Sequence, residues 1–223
     1  MQFRHEVKHM ISNLDMLILR QRLSSVMIPD SHTKDGRYEI RSLYFDNPDD
    51  RALREKLDGV SIREKYRIRL YNNDPSVIHL ERKFKHGGLG CKDSTLLTPE
   101  QARQIVDGDI RWMAGSSDEV ILGFYSRIRN EGLGAKVIVD YTREPFVFGP
   151  GNVRVTLDYN IRTALRSTDF LNSNCITVPV PDSPCILEVK WDNFLPDVVR
   201  NMVQLGDRYS TAFSKYAACR MYD

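Results

Sequence analysis

Lys65-Tyr66-Arg67-Ile68-Arg69-Leu70-Tyr71 is the stretch on which the fold turns. Successive side chains of an extended chain point to opposite sides, so Lys65, Arg67 and Arg69 share one face and Tyr66, Ile68 and Leu70 the other. The alternation predicts a strand with one basic and one apolar face. The same phase recurs elsewhere. Glu81, Lys83 and Lys85 align within residues 77–85, and Arg4, Glu6 and Lys8 within residues 3–11. Glu188 and Lys190 oppose Leu187, Val189 and Trp191, while Arg154, Thr156 and Asp158 oppose Val153, Val155 and Leu157.

Residues 38–45 and 135–143 complete seven strand candidates, punctuated by Gly and Asn. Helical spacing predicts a helix over 14–26 with Asn13 as N-cap, and a second over 51–57 stopped by Gly59. Thr98 followed by Pro99 opens a third that ends near Gly108; two more cover 118–130 and 210–220. His86 to Gly90 reads as a flexible glycine-rich hairpin loop. The expected class is α+β: an antiparallel β-barrel tunnel with helices packed outside, in a single domain spanning 1–223.

The charge phase carries the functional reading. A one-sided sheet with its charged face in water is the plain alternative. Solvated faces usually mix Thr, Ser, Gln and Lys, however, whereas these are dominated by Arg, Lys and a few Glu. Closing the sheet would gather those faces in one bore, where repulsion and desolvation call for a bound polyanion. A carboxylate beside phosphates then suggests a divalent cation between them, Mn²⁺ or Mg²⁺. Glu188 is the first candidate ligand, with Glu6 and Glu81 behind it; each Glu could instead pair with a neighbouring base.

The chain has 223 residues, 41% hydrophobic and 28% charged, enough for one sizeable core. Its 32 Lys and Arg nearly cancel 30 Asp and Glu, which argues against a nucleic-acid binder coated in positive charge. The four cysteines form no C-x-x-C pair, and neither a signal peptide nor a membrane-spanning apolar stretch is visible. A cytoplasmic location is therefore expected. His5-Glu6-Val7-Lys8-His9 spells the H-E-x-x-H zinc signature, but on a strand pattern rather than the helix that chemistry needs. No G-x-x-x-x-G-K-[ST] phosphate loop is present.

The order of segments resembles the catalytic domain of the vacuolar transporter chaperone (VTC) family of polyphosphate polymerases, within the triphosphate tunnel metalloenzymes. The matching pieces are Arg4-His5-Glu6-Val7-Lys8, Ser42-Leu43-Tyr44-Phe45-Asp46, Lys65-Tyr66-Arg67-Ile68-Arg69 and Leu80-Glu81-Arg82-Lys83. Tyr141-Thr142-Arg143, Val153-Arg154-Val155-Thr156-Leu157-Asp158, Leu187-Glu188-Val189-Lys190 and Phe213-Ser214-Lys215-Tyr216 continue the series. The resemblance implies transfer of the ATP γ-phosphoryl group onto a growing polyphosphate chain with Mn²⁺ or Mg²⁺. By the same resemblance Lys8, Arg67, Arg69, Lys83, Arg143, Arg154 and Lys215 bind phosphate, joined by Lys92 and Lys190, and Glu188 holds the metal. Catalysis would fall to Lys8, Arg67, Arg69, Lys83, Arg154, Glu188 and Lys215. Arg143 shares its alternating face with Val137, Val139 and Tyr141, so it is expected to need a bulge or strand end to reach the bore. The chain resembles the stand-alone prokaryotic members, with a membrane partner for export at the inner face of a membrane. A metal-dependent triphosphatase and a polyphosphate-binding module without turnover are the rival readings.

Overall fold

The computed structural model describes residues 2–182, 184–206 and 209–221. Its strands are β1 (His5–Ile11), β2 (Ile28–Pro29), β3 (Tyr38–Asp46), β4 (Arg63–Tyr71), β5 (Asp74–His86), β6 (Leu89–Leu97), β7 (Gly134–Phe148), β8 (Val153–Thr163), β9 (Val178–Pro179) and β10 (Cys185–Trp191). The helices are α1 (Asn13–Ser24), α2 (Arg51–Leu57), α3 (Pro99–Asp107), α4 (Glu119–Glu131), α5 (Asp197–Met202) and α6 (Lys215–Arg220).

All principal strands pair antiparallel in the order β1-β10-β8-β7-β3-β4-β5-β6. The sheet curls far enough that its two outer strands touch, where Arg4 and Gly90 exchange backbone hydrogen bonds of 2.9 and 3.0 Å. The result is a curled half-barrel with α1, α3 and α4 packed outside. On its convex side α3 and α4 cover β3 to β6, burying Leu43, Ile68, Leu80, Ile105 and Phe124 together. On the other half Leu19 and Leu23 of α1, one turn apart, seal Val155, Leu157 and Leu187. Each such fully buried side chain contributes about 1.5–3 kcal/mol. A third cluster lies inside the curl, where Tyr216 and Cys219 of α6 pack on Tyr44, Val137, Val139, Ile161 and Ile186.

The local chemistry explains where expectation and structure part. Ser12, not Asn13, caps α1: its hydroxyl accepts from the Asp15 amide while the Asp15 carboxylate accepts from the Ser12 amide. Thr98 caps α3 as expected. His86 to Gly90 is a tight turn made by Gly87 and Gly88, both at positive φ, and it opens a full strand, β6. That strand was hidden because Gly90-Cys91-Lys92-Asp93-Ser94-Thr95 lacks apolar alternation. The last helix begins at Lys215 rather than 210, because Ser210 and Thr211 are held extended against β1, with the Thr211 amide donating to the Lys8 carbonyl at 2.7 Å.

Candidate functional site

Register brings the charged phases to the concave face. Lys8 lies opposite Glu188, and Glu188 opposite Thr156; Glu6 lies opposite Lys190, and Lys190 opposite Arg154. Arg143 pairs with Asp158 across β7 and β8, Arg67 with Glu81, and Lys65 with Lys83, which is itself opposite Lys92. Residues drawn from both ends of the chain thus face one bore.

Three buried carboxylate centres organise the bases. Glu81 receives Arg67 Nε at 2.7 Å and Lys92 Nζ at 2.8 Å, with Arg69 at 3.9 Å. Asp158, wholly buried, takes both Arg143 Nε (2.6 Å) and Nη2 (2.7 Å) and also Lys215 Nζ (2.5 Å). Glu188 lies 2.6 Å from Lys190, 3.2 Å from Lys8 and 4.0 Å from Arg143. Glu6 shares the same two lysines, at 3.0 Å from Lys8 and 3.3 Å from Lys190. Arg154 stands nearer the rim, tied to Asp30 at 2.8 Å and to the Tyr38 hydroxyl at 2.8 Å.

Hydroxyl groups fix the arginine planes. Arg67 Nη1 donates to the Tyr44 hydroxyl at 2.8 Å, while Arg69 donates to Ser42 Oγ at 2.9 Å and to the Tyr141 hydroxyl at 3.1 Å. Each guanidinium is therefore aimed before any ligand arrives, which lowers the entropy lost on binding.

Burial would raise the acids, but the surrounding cations win. Lys190, Lys8 and Arg143 hold Glu188 well below the usual carboxylate range, and Arg143 with Lys215 brings Asp158 to about 2. Lys83 is depressed well below an ordinary lysine by burial and by repulsion from Lys190 and Arg67. Lys65 falls to about 8 through burial and repulsion from Arg67 and Lys8. Among the described residues neither lysine has a carboxylate within 4.0 Å. The bore carries more positive charge than its own acids neutralise, as an anion site should.

Glu6 and Glu188 fit a hard divalent cation. Glu188 Oε1 accepts no aligned hydrogen bond despite its nearness to Lys190, and Thr156 Oγ1, across from it in the register, is buried without a partner. Among the described residues no three His, Cys, Asp or Glu side chains gather as a metal group. Mg²⁺-like ions need few protein carboxylates when phosphate and water complete the shell. Glu81 is held differently: its two oxygens accept aligned hydrogen bonds from Arg67 and Lys92.

Arg143 needs no bulge of its own, contrary to expectation. Val137, Val139 and Tyr141 also face inward, beneath α6, so the alternation carries Arg143 to the bore directly. The irregularity falls opposite Tyr141, where Asn160 of β8 adopts φ 52° and the register slips. In the H-E-x-x-H segment His5 stacks on Trp191 at 5.3 Å and the strand points Glu6 the other way, so no zinc group forms there. Asp158, Lys65 and the three tyrosines were not assigned to the site by sequence. Asp158 and Lys65 share the charged phase, whereas Tyr38, Tyr44 and Tyr141 carry no charge pattern that would mark them out from core or rim.

Residues 3–222 match the VTC domain family. No curated protein matches the chain in sequence. Solved structures share the fold at low identity. An adenylyl cyclase candidate from Hippeastrum, described as having a dominant triphosphatase activity, is 14% identical with a TM-score of 0.59, covering 99% of this chain and 96% of its own. An adenylate cyclase candidate from Bacillus halodurans is 15% identical with a TM-score of 0.51, covering 85% of this chain and 80% of its own.

Proposed function

The chain belongs to the VTC domain family, and from that premise we propose that it is a polyphosphate polymerase. It would transfer the γ-phosphoryl group of ATP to the end of a polyphosphate chain inside the basic bore. One observation carries this reading: bases and carboxylates from β1, β4, β5, β6, β7, β8, β10 and α6 converge on one concave face.

The chemistry asks mostly for positioning and charge. A terminal oxygen of the acceptor chain attacks the γ-phosphorus, the bond from that phosphorus to the bridging oxygen breaks, and ADP leaves with the electron pair. Arg67 and Arg69, preset by Tyr44, Ser42 and Tyr141, would grip phosphate oxygens bidentately. Lys8, Lys83, Lys92, Lys190 and Lys215 would act as point charges, with Arg143 and Arg154 on the opposite wall. Glu188, with Glu6, would hold Mn²⁺ or Mg²⁺, which when bound neutralises charge on the phosphate oxygens. Glu81 would organise Arg67, Arg69 and Lys92 rather than bind metal.

The single-domain reading of 1–223 and the cytoplasmic location belong to this proposal, as does a membrane partner that receives the product. Among the described residues no helix is long and apolar enough to cross a membrane. A second reading, triphosphate hydrolysis, is favoured by the shared fold with the Hippeastrum protein. Incubation with ATP and Mn²⁺, with and without a short polyphosphate primer, separates the two. A ladder of polymer, lost in Glu188→Ala, supports the polymerase; free phosphate alone supports the hydrolase and overturns the polymerase.

A further inference from the structure

The bases of the bore fall into two groups. Over most of the concave face each has an acid: Arg67 and Lys92 on Glu81, Arg143 and Lys215 on Asp158, Lys8 and Lys190 on Glu188. Toward the mouth made by the start of β4 and the end of β5, this matching stops. Arg63 lies directly opposite Lys85, and Lys65 directly opposite Lys83. Like charges set directly across a sheet are destabilising. Among the described residues no carboxylate lies within 4.0 Å of these four.

Lys56, in the last turn of α2, extends the series outward. With Arg63, Lys85 and Ala212 it lines a cleft of about 510 Å³ at that mouth. Burial, then Arg63, Lys8 and Lys85, push the Lys56 ammonium down, so these charges feel one another as one group. Sheet register and helix placement together hold these cations in a row with no contacting carboxylate among the described residues, Glu6 acting on the lysines only from a distance.

We propose that this mouth is an extension subsite for a linear polyphosphate, in which Lys56, Arg63 and Lys85 hold phosphate units lying beyond the bore. The proposal rests on the reading that the bore itself takes phosphate chains. A substrate that ends inside the bore leaves this row unmatched, whereas a chain threading outward meets Lys83 and Lys65, then Arg63 and Lys85, then Lys56. Lysines also suit a chain that must slide. They attract as mobile point charges, without the bidentate grip open to Arg63 and to the arginines set deeper.

The test is calorimetric titration of the full chain at fixed ionic strength with tripolyphosphate and with long-chain polyphosphate. The unaltered protein is expected to prefer the long chain. The double variant Lys56→Ala/Lys85→Ala should shrink that preference by about tenfold, and Lys56→Arg/Lys85→Arg should restore it. The subsite is overturned if the alanine pair weakens both ligands by the same factor, if there is no length preference, or if a single-stranded nucleic acid of similar length binds equally well at the same residues. Binding of neither phosphate ligand by the unaltered protein overturns the proposed function as well. A protein that hydrolyses ATP without polymerising it, yet shows the length preference, keeps the subsite while losing the polymerase.

Discussion

Tyr44 accepts a 2.8 Å hydrogen bond from Arg67 while its ring stacks on Tyr216 of α6, centroids 5.0 Å apart. The Tyr216 hydroxyl in turn donates to Asp46 at 2.7 Å. One phenol therefore joins the basic wall of the bore to the C-terminal helix.

Burial works to raise the Tyr44 phenol, but Arg67, Lys65 and Arg69 outweigh it and bring it to about 7. Ultraviolet titration should show one tyrosine ionising near neutral pH, absent in Tyr44→Phe. Saturating tripolyphosphate should move that titration upward by offsetting the same cations. A titration unmoved by ligand would separate Tyr44 from the anion site.

Asp158 stabilises the fold through Arg143 and Lys215. Its folded value of about 2 lies below the ordinary aspartate value of 3.8, so the stabilisation is present above pH 4 and is lost as pH falls toward 2. The loss is on the order of 2 kcal/mol. Asp158→Asn should cost about 3–5 kcal/mol at neutral pH by leaving two buried cations unmatched. Tripolyphosphate should then raise the melting temperature of the variant more than that of the parent.

Lys83 behaves in the opposite sense. Its depressed value means that charging it costs folding energy, so that part of the stability rises as pH climbs through the folded value toward the ordinary lysine range. Lys83→Met should raise the melting temperature in the absence of ligand and weaken tripolyphosphate binding by at least about tenfold. A lower melting temperature with unchanged affinity would contradict the assignment.

Glu188 and Glu81 should separate on substitution. Glu188→Gln should lose Mn²⁺-dependent turnover while its metal-free affinity for tripolyphosphate holds or improves, since a negative charge leaves the bore. Glu81→Gln should instead unfold more easily, by about 3–5 kcal/mol, because it strands Arg67 among other cations. Denaturant melts and titration in chelator read the two effects apart.

The period-two alternation of β4, β5, β8 and β10 was legible in the chain because strand geometry is local: side chains two apart share a face wherever the backbone is extended. So were the helix starts at Thr98 and Asp118, whose side chains accept from the Gln101 amide and from the Val120 and Ile121 amides. The strand β6 was not, since its residues owe their extension to pairing with β5 rather than to their own pattern. Nor could sequence say that Asp158 would bind both Arg143 and Lys215, or that Glu81 would be enclosed by Arg67 and Lys92. Those partners are chosen by register and by the curl of the sheet, which set distances between residues far apart in the chain. Alternation thus determined which side chains share a face; only the closing of the sheet decided which charges meet inside it, because electrostatic pairing acts over a few ångströms of space and takes no account of sequence separation.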